Sequence, residues 1–123
     1  SSDLAFVNKD MKWDERDNLS GVVGHGSSFP PVNLIPYGPV GRACKLLDGC
    51  LLAVNSQKLI DSGLRFDEDF KFHFYDLDFC RNAERLGLSM GTLALSVLHA
   101  SSGNFLSESW EKAFKVYLDK WQS

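Results

Sequence analysis

At 123 residues, the chain suits one domain with a sizeable core and is too short for two. Its 44% hydrophobic and 24% charged residues are those expected of an ordinary soluble globular protein. A formal charge of -3 gives no basic footprint for nucleic acid or an anionic membrane, and no apolar run reaches the length of a membrane span. With neither a leader nor a span visible, the cytoplasm is the expected compartment.

Residues 1–43 read as irregular, with two short strand candidates, Leu4–Val7 and Gly21–Gly24. The second runs into His25-Gly26-Ser27-Ser28, a loop sequence. From Phe29 to Gly41 there are four prolines and two glycines, which predicts a long irregular loop.

Leu46–Val54 is nearly continuous apolar sequence and predicts a strand buried on both faces. Asp48-Gly49 interrupts it, as a bulge or a close backbone approach would. A short helix follows, with Ser56 as expected N-cap and Gly63 as stop. Phe70, Phe72 and Phe74 then alternate. A second helix is predicted from about Asp76 to Leu86, capped by an acid and stopped by Gly87. It gathers Leu77, Cys80 and Ala83 on one face. Ser89–His99 reads as a second apolar strand, closed by the turn Ala100–Asn104. The last helix is capped by Ser107 or Ser109, and Trp110, Ala113, Phe114, Tyr117, Leu118 and Trp121 form its apolar stripe. That stripe is expected to pack on the sheet or a partner.

Three cysteines, Cys44, Cys50 and Cys80, cannot all pair within one chain. If Cys44 to Cys50 is extended, the α-carbons lie roughly 20 Å apart, too far for a disulfide. No CxxC spacing suggests zinc, so reduced, buried thiols are expected.

The chemistry concentrates in His73-Phe74-Tyr75-Asp76-Leu77-Asp78, where a histidine and two carboxylates fall within six positions among aromatic residues. Acids placed among rings are costly to desolvate, so they need partners or a task. For Asp76 the pattern alone allows a helix cap or a catalytic base. Asp78 reads as a first-turn acid at helical spacing for a salt bridge with Arg81 or Arg85, and His73 as a hydrogen-bonded ring in the core; a substrate contact is the rival for each. His99 ends its strand either structurally or on a site rim. There is no nucleophile elbow and no phosphate-cradling glycine loop.

In order and spacing, five pieces resemble the C-terminal, acceptor-side half of family-2-type glycosyltransferases with the GT-A fold. They are Leu47–Val54 with its Asp48-Gly49, Phe66-Asp67-Glu68-Asp69-Phe70, Phe72–Asp78, Arg85-Leu86-Gly87-Leu88 and Leu98–Gly103, together spanning about residues 45 to 105. The resemblance implies an α/β chain with a partial GT-A (Rossmann-like) fold, a small mixed sheet flanked by helices. It implies a single domain: irregular over 1–43, family-like over 44–105, and a C-terminal amphipathic helix over 106–123.

The implied activity is inverting transfer of a hexose or deoxyhexose from a nucleotide sugar to an acceptor hydroxyl. Asp76 is then the base, where the family usually has Glu-Asp and this chain has Tyr75-Asp76. Asp48 and Gly49 match the loop beside the acceptor, and His73 and Asp78 fall on the substrate side. His99 matches a histidine that contacts metal or diphosphate. Asp10 is what survives of the metal-binding Asp-x-Asp, with Lys9 in place of an acid, and the cofactor would be divalent manganese or magnesium. Asp76-Leu77-Asp78 has the same letters but sits at the base position.

The donor-binding half expected ahead of this segment has almost no counterpart, which leaves open a fragment, a half-domain completed by a partner chain, or a relic. The rival function is a non-catalytic binding or self-association domain, a homo-oligomer held through the C-terminal helix or an orphaned sheet edge. A third reading is a metal-dependent hydrolase using His73, Asp76, Asp78 and His99.

Overall fold

The elements in chain order are β1 (Gly21–His25), β2 (Asn33–Gly38), α1 (Ser56–Ser62), α2 (Tyr75–Arg85) and α3 (Glu108–Trp121), so the chain is mixed α/β. The structure is a computed structural model that describes residues 19–25, 28, 30, 33–95 and 107–121. It divides into two units, one of Ser1–Arg42 with Thr92–Gly103 and one of Ala43–Gly91 with Asn104–Ser123. The expected strand at Leu4–Val7 lies outside the described residues.

In the first unit, β1 and β2 pair antiparallel, His25 opposite Asn33 and Val22 opposite Pro36, with a bulge before Gly21 meets Gly38. β2 therefore forms inside the stretch expected to be an irregular loop. A two-stranded ribbon is all edge, so Pro36 can sit in it without interrupting a central ladder. Thr92 ties the chain beyond β2: its Oγ1 accepts from the Gly41 and Arg42 amides at 3.1 and 3.3 Å and lies 2.6 Å from Ser20 Oγ.

The second unit holds the three helices. The strand expected over Leu46–Val54 does not form: the backbone turns at Gly49-Cys50, and only Leu46 is buried. The reason is local. Asp48 Oδ1 accepts from the Cys50 amide at 2.9 Å, closing an Asx turn, and the Gly49 amide goes to a side chain instead of a neighbouring strand. The strand expected over Ser89–His99 is reduced, over its described part, to an isolated bridge between Ala43 and Gly91. Residues 96–99 lie outside the description.

Asn55, not Ser56, caps α1, its Oδ1 accepting from the Lys58 amide at 2.9 Å, a bond of the kind that contributes about 1 kcal/mol. α2 ends as expected at Gly87. With φ 72, Gly87 donates to the Glu84 carbonyl while Leu88 donates to Ala83, both at 2.9 Å, a Schellman arrangement that a side chain at Gly87 would strain. The start of α2 departs from expectation. Its N-cap is Phe74, in the left-handed region at φ 64 with no side-chain cap, so Asp76 lies inside the first turn and is not the cap.

Ser107 caps α3, accepting from the Trp110 amide at 3.2 Å. Through its rings the α3 stripe packs on two phenylalanines of the loop that leads into α2. Phe74 lies 5.1, 5.7 and 5.4 Å from the rings of Trp110, Phe114 and Tyr117, and Phe70 lies 6.4 Å from Tyr117. Phe72 points away and is exposed, so the three phenylalanines do not share a strand face. A second cluster gathers Leu64, Phe79 and Ala83 under Leu59, Leu88 and Met90. Among the described residues no helix is long and apolar enough to cross a membrane.

Candidate functional site

The first turn of α2 meets the Asp48-Gly49 turn, 27 positions earlier in the chain. Asp76 Oδ2 accepts from the Gly49 amide at 2.8 Å, and its Oδ1 accepts from the Leu77 amide at 2.9 Å. The Tyr75 hydroxyl donates to the Gly49 carbonyl at 3.3 Å. Gly49 is thus held through both its N–H and its carbonyl by consecutive residues. One helical turn on, Cys80 Sγ accepts from the Leu47 amide at 3.3 Å and extends the clasp.

Glycine is required at this contact by space alone. A Cβ on Gly49 would overlap the Tyr75 hydroxyl and stand 3.0 Å from Asp76 Oδ2. Gly49→Ala is expected to cost roughly 1–3 kcal/mol, the usual range for overpacking, and to lower the melting temperature accordingly. A melt matching wild type would show that the turn steps aside freely.

Burial pushes the Asp76 carboxyl above the usual carboxylate range; the Leu77 and Gly49 amides pull against this, and neighbouring Asp48 adds to it. A carboxylate so placed is a stronger base than a surface one, and each oxygen spends one lone pair on an amide while keeping another. Burial, with Asp76 and Asp48 nearby, also raises the Tyr75 phenol. The Cys80 thiol is pushed up to about 11, chiefly by burial, which makes it a neutral packing and hydrogen-bonding group. Of the three thiols expected to be buried, only Cys80 is: Cys44 is half-buried and Cys50 is exposed.

The structure thus brings Asp48, Gly49 and Asp76 together. Asp78, two positions from Asp76 and so on another face of α2, is fully buried. Its Oδ1 accepts from Lys120 Nζ and Trp121 Nε1, both at 2.8 Å, and its Oδ2 from Asn82 Nδ2 at 3.0 Å. Its ion-pair partner here is Lys120. Of the two arginines expected to pair with it, Arg81 donates through Nε to the Tyr117 hydroxyl at 3.0 Å, and Arg85 lies over the Trp121 ring. His73 is half-buried, with Nε2 3.4 Å from Ser109 Oγ and its ring edge-on to Phe72. His99 and Asp10 lie outside the described residues. Among the described residues no group of three or more histidines, cysteines or carboxylates is placed to hold a metal ion.

Two site residues escaped sequence reasoning. The Tyr75 hydroxyl looked like a lost glutamate yet holds the Gly49 carbonyl. Phe66, 52% exposed, stacks on Phe79 at 4.3 Å and lies 6.0 Å from Tyr75. The available signal was the spacing of Tyr75 and Phe79, four apart on one helix face.

Compared with known proteins, the chain matches no family model, no curated protein and no solved structure.

Proposed function

We propose that this chain is the acceptor-side part of a glycosyltransferase of the GT-A type, built on part of a Rossmann-like fold and working in the cytoplasm. Asp76 takes the proton of an acceptor hydroxyl as that oxygen attacks the anomeric carbon of a nucleotide sugar. The new C–O bond forms on the face opposite the departing diphosphate, which leaves with the electron pair, so the configuration inverts. The observation that supports this most is the clasp. It joins the two segments that the resemblance puts at the acceptor, and it half-buries a carboxylate whose proton affinity is raised. Asp10 and His99 remain the proposed contacts to a manganese or magnesium ion and the diphosphate.

The test is transfer from uridine or thymidine diphosphate sugars, with and without manganese. Asp76→Asn keeps the size and one amide acceptor and removes the base, so kcat is expected to fall by about 10²- to 10⁴-fold with KM little changed. Because the Asp76 carboxyl is raised, the base form is lost on acidification at a higher pH than for an ordinary carboxylate. The acidic limb of kcat/KM therefore lies above the usual carboxylate range and disappears in Asp76→Asn. An active chain indifferent to Asp76→Asn would refute the assignment.

One observation favours a second reading, a binding or self-association domain. The first unit leaves Leu34, Ile35, Leu93 and Leu95 exposed. No nucleotide binding together with a stable dimer on sizing would select it.

A further inference from the structure

The ring of Phe66 is exposed but not loose. It lies nearly parallel to the buried Phe79 ring, 22° apart at a 4.3 Å centroid distance, and tilts against Tyr75 at 6.0 Å. An apolar ring that keeps half its surface in water while its other face is fixed by stacking is a preorganised platform. Tyr75, its neighbour, leads to hydrogen-bond acceptors: the Gly49 carbonyl, which takes the Tyr75 hydroxyl, and the Asp76 carboxylate, which takes the Gly49 amide.

The charge around the platform decides which flat ligand fits. Phe66 is followed directly by Asp67, Glu68 and Asp69, and the clasp adds Asp48 and Asp76. The basic residue before it, Arg65, spends Nη1 on the Leu59 and Leu64 carbonyls, and Lys120 is held by Asp67 and Asp78. A phosphate group would face carboxylates here. A neutral polyol would find acceptors for its hydroxyls and an aromatic face for its C–H bonds.

From this we infer that Phe66 and Tyr75 form a subsite for a neutral pyranose, whose apolar face stacks on Phe66 and whose hydroxyls donate toward the Gly49–Asp76 clasp. The inference deepens the transferase reading by making the acceptor a sugar. It rests on that reading only for what happens to the sugar afterwards.

The experiment is saturation-transfer NMR on the full chain with methyl α- and β-glucopyranoside, galactopyranoside and mannopyranoside, with uridine and uridine monophosphate as comparisons and no donor present. At least one pyranoside is expected to bind with strongest saturation on the ring protons of one face. Phe66→Leu keeps an apolar side chain but removes the π face, and is expected to weaken binding about fivefold to tenfold. Phe66→Trp keeps the platform and is expected to retain binding, which guards against a fold effect, as do matched thermal melts. Absence of pyranoside binding, an unchanged affinity in Phe66→Leu, or Phe66-dependent binding of uridine alone would each overturn the proposal. Since no nucleotide sugar is present, a failed transferase reading leaves this result untouched, and the converse also holds.

Discussion

Asp78→Ala is expected to destabilise the chain by about 3–5 kcal/mol, the range seen when one partner of a buried ion pair is removed. The carboxylate has no solvent exposure and collects three donors at 2.8 to 3.0 Å, from Lys120, Trp121 and Asn82. Two of these belong to the last turn of α3, so the residue joins α2 to α3. Its loss strands the Trp121 N–H and leaves Lys120 with Asp67 alone, at a site only partly open to water. Asp78→Asn separates charge from hydrogen bonding: the amide still accepts from Trp121 but does not neutralise Lys120. It is expected to lose roughly 1.5–3 kcal/mol, the range for a hydrogen bond to a charged group. Urea unfolding of the three proteins checks the order wild type, Asn, Ala. An alanine variant within about 1 kcal/mol of wild type would mean that solvent reaches Lys120 and Trp121 easily.

Helical parts of the fold were legible because their signals are local. The Gly63 and Gly87 stops, the Ser107 cap and the α3 stripe each depend on residues within four or five positions. The strands were misread for the complementary reason. Leu46–Val54 is apolar enough for a buried strand, but an Asx turn at Asp48 and the pull of Asp76 on the Gly49 amide bend it away. β2 forms across Pro36 because its partner β1 leaves it on an edge. In the site, the resemblance gave Asp48-Gly49 and Asp76 separate roles, and nothing local showed the bond between the Gly49 amide and Asp76. Nothing local linked Asp78 to Lys120 and Trp121, 42 and 43 positions on. Helical spacing offered Arg81 and Arg85 instead.

Phe74→Ala is the second large effect, an expected loss of about 3–5 kcal/mol, since the ring is buried against Trp110, Phe114 and Tyr117. A further comparison isolates the backbone. At φ 64 an L-residue carries roughly 1–2 kcal/mol of left-handed strain that glycine does not. Phe74→Gly should therefore be more stable than Phe74→Ala by about 1 kcal/mol, the reverse of the usual order in and around helices. Wild type tolerates the strain because three aromatic rings of α3 hold the side chain. The left-handed turn in exchange sends the chain straight into Tyr75 and Asp76, the two residues that grip Gly49. Strain of this kind persists where the surroundings over-determine the backbone, and it falls at the entrance to the clasp. Paired unfolding curves decide the matter. If alanine proves at least as stable as glycine, residue 74 leaves the left-handed region once its ring is gone, and the direction of Asp76 is set by α2 alone.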